Sequence, residues 1–193
     1  MSKPRLAIFL SGGGRTALNI ADAIDKGEID AEIAIVVASK PCAGHDRCAA
    51  RGLPVMIERG EIPEARLTEI LSESRADLVC LAGYLKLMPI PAGWEGRVLN
   101  IHPSLLPKHG GPGMFGDRVH QSVIESGEPI SGCTVHICDG EFDRGPIVLQ
   151  KSCEVLPNDT PETLASRVFS VECETYPEAI RTTLKRLGLT ADA

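Results

Sequence analysis

"RLAIFLSGGGRTALNIADAIDKG", residues 5–27, holds a strand, a turn and a helix in that order. Residues 5–11 form a continuous apolar run rather than an alternating one, the pattern of a strand buried on both faces. Glycines 12 to 14 end it. Beyond them Leu18, Ile20, Ala21 and Ile24 recur at helical spacing, and Gly27 supplies a stop signal. A buried strand feeding directly into a helix is half of a β-α-β unit, so the stretch predicts a parallel sheet with helices packed on it.

The alternation continues outward. "AEIAIVVAS" (31–39), "PVMIE", a helical stretch around "PEARLTEILSES", "ADLVCLAG" (76–83) and "RVLNIH" (97–102) extend it. The series predicts a doubly wound α/β fold with a mainly parallel sheet. After Pro107 the pattern changes: "GCTVHICDG" (132–140) and "PIVLQKSCEV" (146–155), separated by "EFDRG", read as an antiparallel pair. Thr160 as N-cap and Pro161 as first helical residue open a long helix with Leu164, Val168 and Val171 as its buried stripe. No repeat or linker divides the 193 residues, which predicts one domain with the antiparallel part as a C-terminal addition.

Lys+Arg 20 against Asp+Glu 26 gives a net charge of -6 with no basic run, which argues against nucleic acid as a partner. The opening apolar run stops after about six residues, too short for a signal h-region or a membrane span. A soluble cytoplasmic protein with no membrane partner is expected. Cysteines 42, 48, 80, 133, 138, 153 and 173 include no C-x-x-C pair, and several lie in apolar runs. They read as small core residues in a reducing compartment rather than disulfides or metal ligands.

Gly12, Gly14 and Ala17 match G-x-G-x-x-G/A, a turn that lets backbone N–H groups approach a phosphate at a helix N-terminus. The second strand ends "VVASKP" with no carboxylate for a ribose hydroxyl, which disfavours NAD, although Lys40 suits the extra phosphate of NADP. A single phosphate held by the loop with Arg15 and Thr16 fits better. The alternative is a glycine turn that serves only to pack helix on sheet.

Asn100 and His102 stand two apart at the end of a strand, on one face, in a run otherwise Val, Leu and Ile. An amide donor beside an imidazole suits a site where an oxygen becomes negative. The loop "CDGEFDRGP" offers Asp139, Glu141 and Asp143 as an acidic partner that fixes the tautomer and favours the imidazolium. Their spacing is not that of a calcium loop, and it does not choose among the three.

"LNIHPSLLP", preceded by "LAGYLKLMP" and followed by "GCTVHICDGEFDRGPIVLQ", resembles the formyltransferases that use 10-formyltetrahydrofolate, and the similarity runs through nearly the whole chain. The resemblance implies formyl transfer from 10-formyltetrahydrofolate as co-substrate, without a metal. It points to the amine of 5-phosphoribosylglycinamide in purine biosynthesis as acceptor, because "SGGGRTALNI" stands where that branch holds a ribose phosphate and the chain stops near 193 residues. It implies Asn100, His102 and Asp143 as the catalytic trio. It implies a folate pocket from Leu85, Lys86, Leu87 and Met88, Asn100, and the loop Cys138, Asp139, Gly140 and Glu141. The phosphoribosylglycinamide side falls to Gly12, Gly14, Arg15, Thr16 and Glu172. A single formyltransferase domain over 1–193 then has a phosphate-binding half of about 1–100 and a folate and catalytic half of about 80–193, with a cis bond at Leu106-Pro107.

The chain departs from the family pattern at several places. G-G-G-R-T replaces the common G-x-G-S-N, Lys86 stands where Arg is frequent, and Arg144 where Gly is common. "HGGPGMFGD" (109–117) reads as a flap over the substrate, and His120 and His136 as structural or peripheral. Rival readings are a formyltransferase acting on a sugar amine, a hydrolase releasing formate, and, in another class, an NADP-binding oxidoreductase or nucleotide sensor. The phosphate loop argues against the first two. The others leave Asn100 with His102 unexplained.

Overall fold

Strand β1 (Arg5–Leu10) lies inside a seven-stranded sheet with β2 (Glu32–Ala38), β3 (Val55–Ile57), β4 (Leu78–Leu81), β5 (Val98–His102), β6 (Ile130–Ile137) and β7 (Ile147–Glu154). The computed structural model describes residues 2–190. The order is β3-β2-β1-β4-β5-β6-β7. The first five strands are parallel, β6 runs antiparallel to β5, and β7 antiparallel to β6. This is the expected mainly parallel sheet with its antiparallel C-terminal addition.

The continuous apolar strands are buried on both faces, as their composition requires. In β1, Leu6, Ile8 and Leu10 enter one apolar cluster while Ala7 and Phe9 enter the other. Helices α1 (Arg15–Asp25), α2 (Ala43–Ala50), α4 (Asp117–Ser126) and α5 (Pro161–Arg186) contribute to the first cluster, and α3 (Glu64–Glu73) to the second. On β5 the odd residues Leu99 and Ile101 join the first cluster, whereas on the even side only Val98 joins the second. Asn100 and His102 continue that even side beyond the point where the second core ends.

Strand order reverses between β1 and β4, the switch point at which open α/β sheets leave a crevice at their carboxyl ends. Tyr176 of α5, fully buried, braces this region by donating its hydroxyl to the carbonyls of Leu81 (3.0 Å) and Leu99 (3.2 Å). Pro177 follows inside the same helix and has no N–H to give the carbonyl of Cys173. Asn19 of α1 supplies the missing donor, Nδ2 to Cys173 O at 3.0 Å. The interruption in one helix thus becomes its tie to another.

Thr160 caps α5 with a reciprocal pair to Thr163 and Pro161 is its first residue, as expected; Val171 is half-buried rather than part of the core. The Leu106-Pro107 bond is cis. All seven cysteines are free thiols, with Cys48, Cys80 and Cys133 buried. Helices α2 and α4 escaped the sequence reading. Only Gly44 and Cys48 of α2 are buried, too few to print a periodic stripe, and α4 opens directly from a glycine-rich stretch.

Candidate active site

A cavity of about 440 Å³ opens at the carboxyl ends of β1, β4 and β5. The glycine loop, the segment 81–88, the end of β5, residues 111–117, the loop 138–143 and Phe169 and Glu172 of α5 bound it.

Sheet register builds its centre. Asn100 pairs with Leu81 on the parallel side and with His136 on the antiparallel side, so an Asn and a His from neighbouring strands meet. Asn100 Nδ2 donates to Asp143 Oδ1 (3.3 Å) and lies 3.1 Å from His136 Nε2. His136 Nδ1 donates to the carbonyl of Ile137 at 3.1 Å, which leaves Nε2 as the acceptor for Asn100. Asp143 Oδ2 accepts from the Gly111 N–H (2.9 Å) and faces His102 Nδ1 at 3.4 Å. The other ring nitrogen of His102, Nε2, donates to the carbonyl of His109 at 2.8 Å.

Of the two alternatives read for His136, structural or peripheral, the second is excluded: the residue is 1% exposed and bonded into the trio. No spacing rule would have found it, because β5 and β6 are joined through residues 103–129, which include α4, and their register follows from the packing of the two strands rather than from sequence distance. The unusual backbone of the 138–145 loop lies at Asp143 itself, with φ 57°. A non-glycine residue in the left-handed region carries strain of about 1–3 kcal/mol, held by its surroundings. Arg144 points outward and pairs with Glu141 at 3.2 Å.

Burial works against the charge of Asp143, but the neighbouring His136 and His102 rings and the Gly111 N–H together hold its carboxyl below the ordinary value. His102 goes the other way: burial dominates and pushes the imidazole below its ordinary value, against the opposing pull of Asp143 and the His109 carbonyl. Burial of the ring is thus set against the expected support of a cationic His102 by Asp143. Desolvation of a ring that is 4% exposed outweighs one carboxylate.

At the far end, Gly14 caps α1 with φ 74°. A Cβ there would sit 2.6 Å from Gly44 Cα of α2, and the Gly44 N–H donates to Gly12 O at 2.9 Å. The glycine turn is shaped by helix packing as well as suited to an anion. Its cap makes no side-chain bond to the first N–H groups of α1. The Arg15 guanidinium lies 4.1 Å over the ring of Phe169. Burial raises the Glu172 carboxyl to about 7, opposed by the charge of Arg15.

The structure gathers Gly12, Gly14, Arg15, Thr16, Leu85, Lys86, Leu87, Met88, Asn100, His102, Cys138, Gly140, Glu141, Asp143 and Glu172 around this one cavity. Asp139 is the exception: its Oδ1 accepts from the Glu141 N–H at 3.1 Å and stabilises the loop instead of lining the space. Cys138 spends its N–H on Val98 O (2.8 Å), so only its carbonyl and thiol remain for a ligand. Phe115, Phe142 and Phe169 add apolar walls that the sequence reading did not name. The stretch 109–117 does border the cavity, through Gly111 and residues 113–117.

Residues 4–180 match the family model described as "Formyl transferase". The chain belongs to the formyl transferase family. Similar to this formyl transferase chain is the chloroplastic phosphoribosylglycinamide formyltransferase of Arabidopsis thaliana, 37% identical over 188 residues that cover 92% of this chain and 64% of that protein. The trifunctional purine biosynthetic protein adenosine-3 of Homo sapiens is 33% identical over 93% of this chain and 18% of its own length. Among solved structures, glycinamide ribonucleotide transformylase 1 from Symbiobacterium toebii superposes with a TM-score of 0.85 at 34% identity, over 93% of this chain and 86% of that one. Phosphoribosylglycinamide formyltransferase from Brucella melitensis gives 0.85 at 34%, over 100% and 98%. The chain spans less than two thirds of the two plant relatives, 64% and 60% of their lengths. No helix among the described residues is long and apolar enough to cross a membrane.

Proposed function

We propose that this protein transfers the formyl group of 10-formyltetrahydrofolate to the amine of 5-phosphoribosylglycinamide, a step of purine biosynthesis, with Asn100, His102 and Asp143 as the reacting groups. The observation that carries the reading is the convergence of amide, imidazole and carboxylate at the middle of a cavity with an apolar wall on one side and a cationic glycine loop on the other. Leu85, Leu87, Met88 and Phe142 suit the flat ring system of a folate, and the 1–100 half contributes the phosphate cradle with Arg15 and Thr16. The reading places the reaction in the cytoplasm.

As co-substrate, the folate supplies an electrophilic formyl carbon. The amine forms a bond to that carbon, and negative charge gathers on the formyl oxygen. Asn100, which shares its amide hydrogens between Asp143 and His136, turns one of them to that oxygen; such a donor is worth roughly 10²–10³ in rate. The amine must also lose a proton. His102 rests neutral, with its hydrogen on Nε2 toward the His109 carbonyl, so Nδ1 beside Asp143 is the nitrogen free to accept it. Protonation makes the ring cationic while the oxygen is anionic, and the proton then passes to the departing folate nitrogen as its bond to carbon breaks. General acid–base action of this kind contributes roughly 10²–10⁴.

The test is an assay of formyl loss from folate with and without the ribonucleotide. Loss that depends on the ribonucleotide, with appearance of the formylated product, supports the reading. Equal loss in its absence, with release of formate, replaces it with hydrolysis.

A further inference from the structure

The turn between Pro107 and Gly111 makes contacts that fix the reacting pair, and it makes them with backbone atoms. The His109 carbonyl accepts from His102 Nε2 at 2.8 Å, and the Gly111 N–H donates to Asp143 Oδ2 at 2.9 Å. Between them Gly110 lies so close that a Cβ would sit 2.4 Å from Leu106 Cδ2 and 3.3 Å from Asp143 Cβ. His109 itself has φ 55°, a conformation a non-glycine residue keeps only when its surroundings hold it.

Two sets of side chains do the holding. On the sheet side, Ser104 Oγ donates to Lys108 O (2.7 Å), Thr134 Oγ1 donates to Ser104 O (2.7 Å), and Gln150 Nε2 donates to Leu106 O (2.9 Å). On the helix side the His109 ring is clasped at both nitrogens. Nδ1 lies 2.8 Å from Ser122 Oγ of α4, and Nε2 faces Glu128 Oε1 at 3.4 Å, the oxygen that also accepts from Lys108 Nζ at 3.0 Å. Neither His109, Ser122 nor Glu128 borders the cavity. An imidazole strung between a hydroxyl and a carboxylate here has no ligand to serve, but its own carbonyl touches His102.

We propose that His109, clasped by Ser122 and Glu128, is a positioning residue whose carbonyl fixes His102 in the tautomer with hydrogen on Nε2, so that Nδ1 is presented to Asp143 and to the travelling proton. A neutral imidazole has one N–H, and a carbonyl can only accept, so the 2.8 Å contact decides which nitrogen carries it. The inference rests on the reaction proposed above and adds to it the device that orients its base.

The test uses Ser122→Ala combined with Glu128→Gln, and separately His109→Gly, each checked for an unchanged circular dichroism spectrum and melting temperature within a few degrees. Nitrogen-15 NMR of the His102 ring reads the tautomer directly. Expected in both variants is a shift from a single Nε2–H form to a mixture with Nδ1–H, a lower titration midpoint for His102, and kcat reduced roughly 10-fold with both KM values within twofold. Glycine adopts φ 55° without strain, so a His109→Gly protein that keeps the Nε2–H form and full kcat would show that backbone shape suffices and overturn the proposal. The same result in the double variant also overturns it; Ser122→Ala alone supplies the readout where the double variant melts early. Because the tautomer is read without turnover, loss of the reaction scheme through an active His102→Ala protein is distinguishable from loss of the clasp.

Discussion

At one end of the cavity Asn100, His102, His136 and Asp143 are tied to each other and to the backbone at 2.8–3.5 Å, with almost every donor and acceptor assigned. At the other end Arg15 rests on the face of Phe169, and among the described residues no hydrogen bond reaches the Glu172 carboxyl. The first region is held by contacts internal to the protein, which is what stabilising a short-lived charge requires, since dipoles that must reorganise during the reaction contribute little. The second keeps its polar groups uncommitted, which is what recognising a whole molecule requires. Substitutions at the two ends are therefore expected to separate in kinetics, turnover on one side and affinity on the other.

The largest effect that bears on this contrast is Asp143→Asn, expected to lower kcat roughly 10²–10⁴-fold while leaving folate binding within a few-fold, measured by steady-state assay and by folate titration. A change confined to KM would erase the distinction between the ends. Asn100→Ala comes next, at roughly 10² in kcat, with affinity nearly intact. Arg15→Ala moves the other parameter: KM for the phosphorylated substrate rises about tenfold, equivalent to roughly 1.4 kcal/mol, with kcat and folate KM steady. An equal rise for both substrates would show that Arg15 shapes the fold rather than reads a phosphate.

The smallest effect concerns stability. The Glu172 carboxyl titrates near 7 in the folded protein against an ordinary 4.5, so the folded state holds a proton that the unfolded chain releases between those values. Its stabilising contribution is complete below the unfolded value and is lost as pH rises toward 7, by up to about 1.4 kcal/mol per pH unit. Glu172→Gln removes that slope, and denaturant melts of the two proteins at pH 5 and pH 7 would reveal it. Parallel curves would mean the carboxyl is ionised throughout.

What the sequence disclosed follows the range of its signals. The strand–glycine–helix opening and the run of two-face-buried strands are local patterns, and the mainly parallel sheet they implied is present. Asn100 and His102 were legible because polar residues inside an apolar strand stand out, and Asp143 because the loop resembled a known one. His136 and the His109 clasp depend on how β6 lies on β5 and how α4 meets the turn, contacts 36 and 13 residues apart that no short window contains. The balance at His102 was hidden for a related reason: a sequence shows the neighbouring carboxylate but not the depth at which the ring sits.

Gly44 never touches the cavity, yet it abuts Gly14 closely enough to forbid a methyl group on either, and Arg47 from the same helix reaches Gly13 O at 2.9 Å. Helix α2 is thus the mould in which the glycine loop is cast. Attempts to retune the acceptor have room at positions 15 and 16, whereas a change at 44, invisible from the ligand's side, would deform the cradle as surely as a change within it.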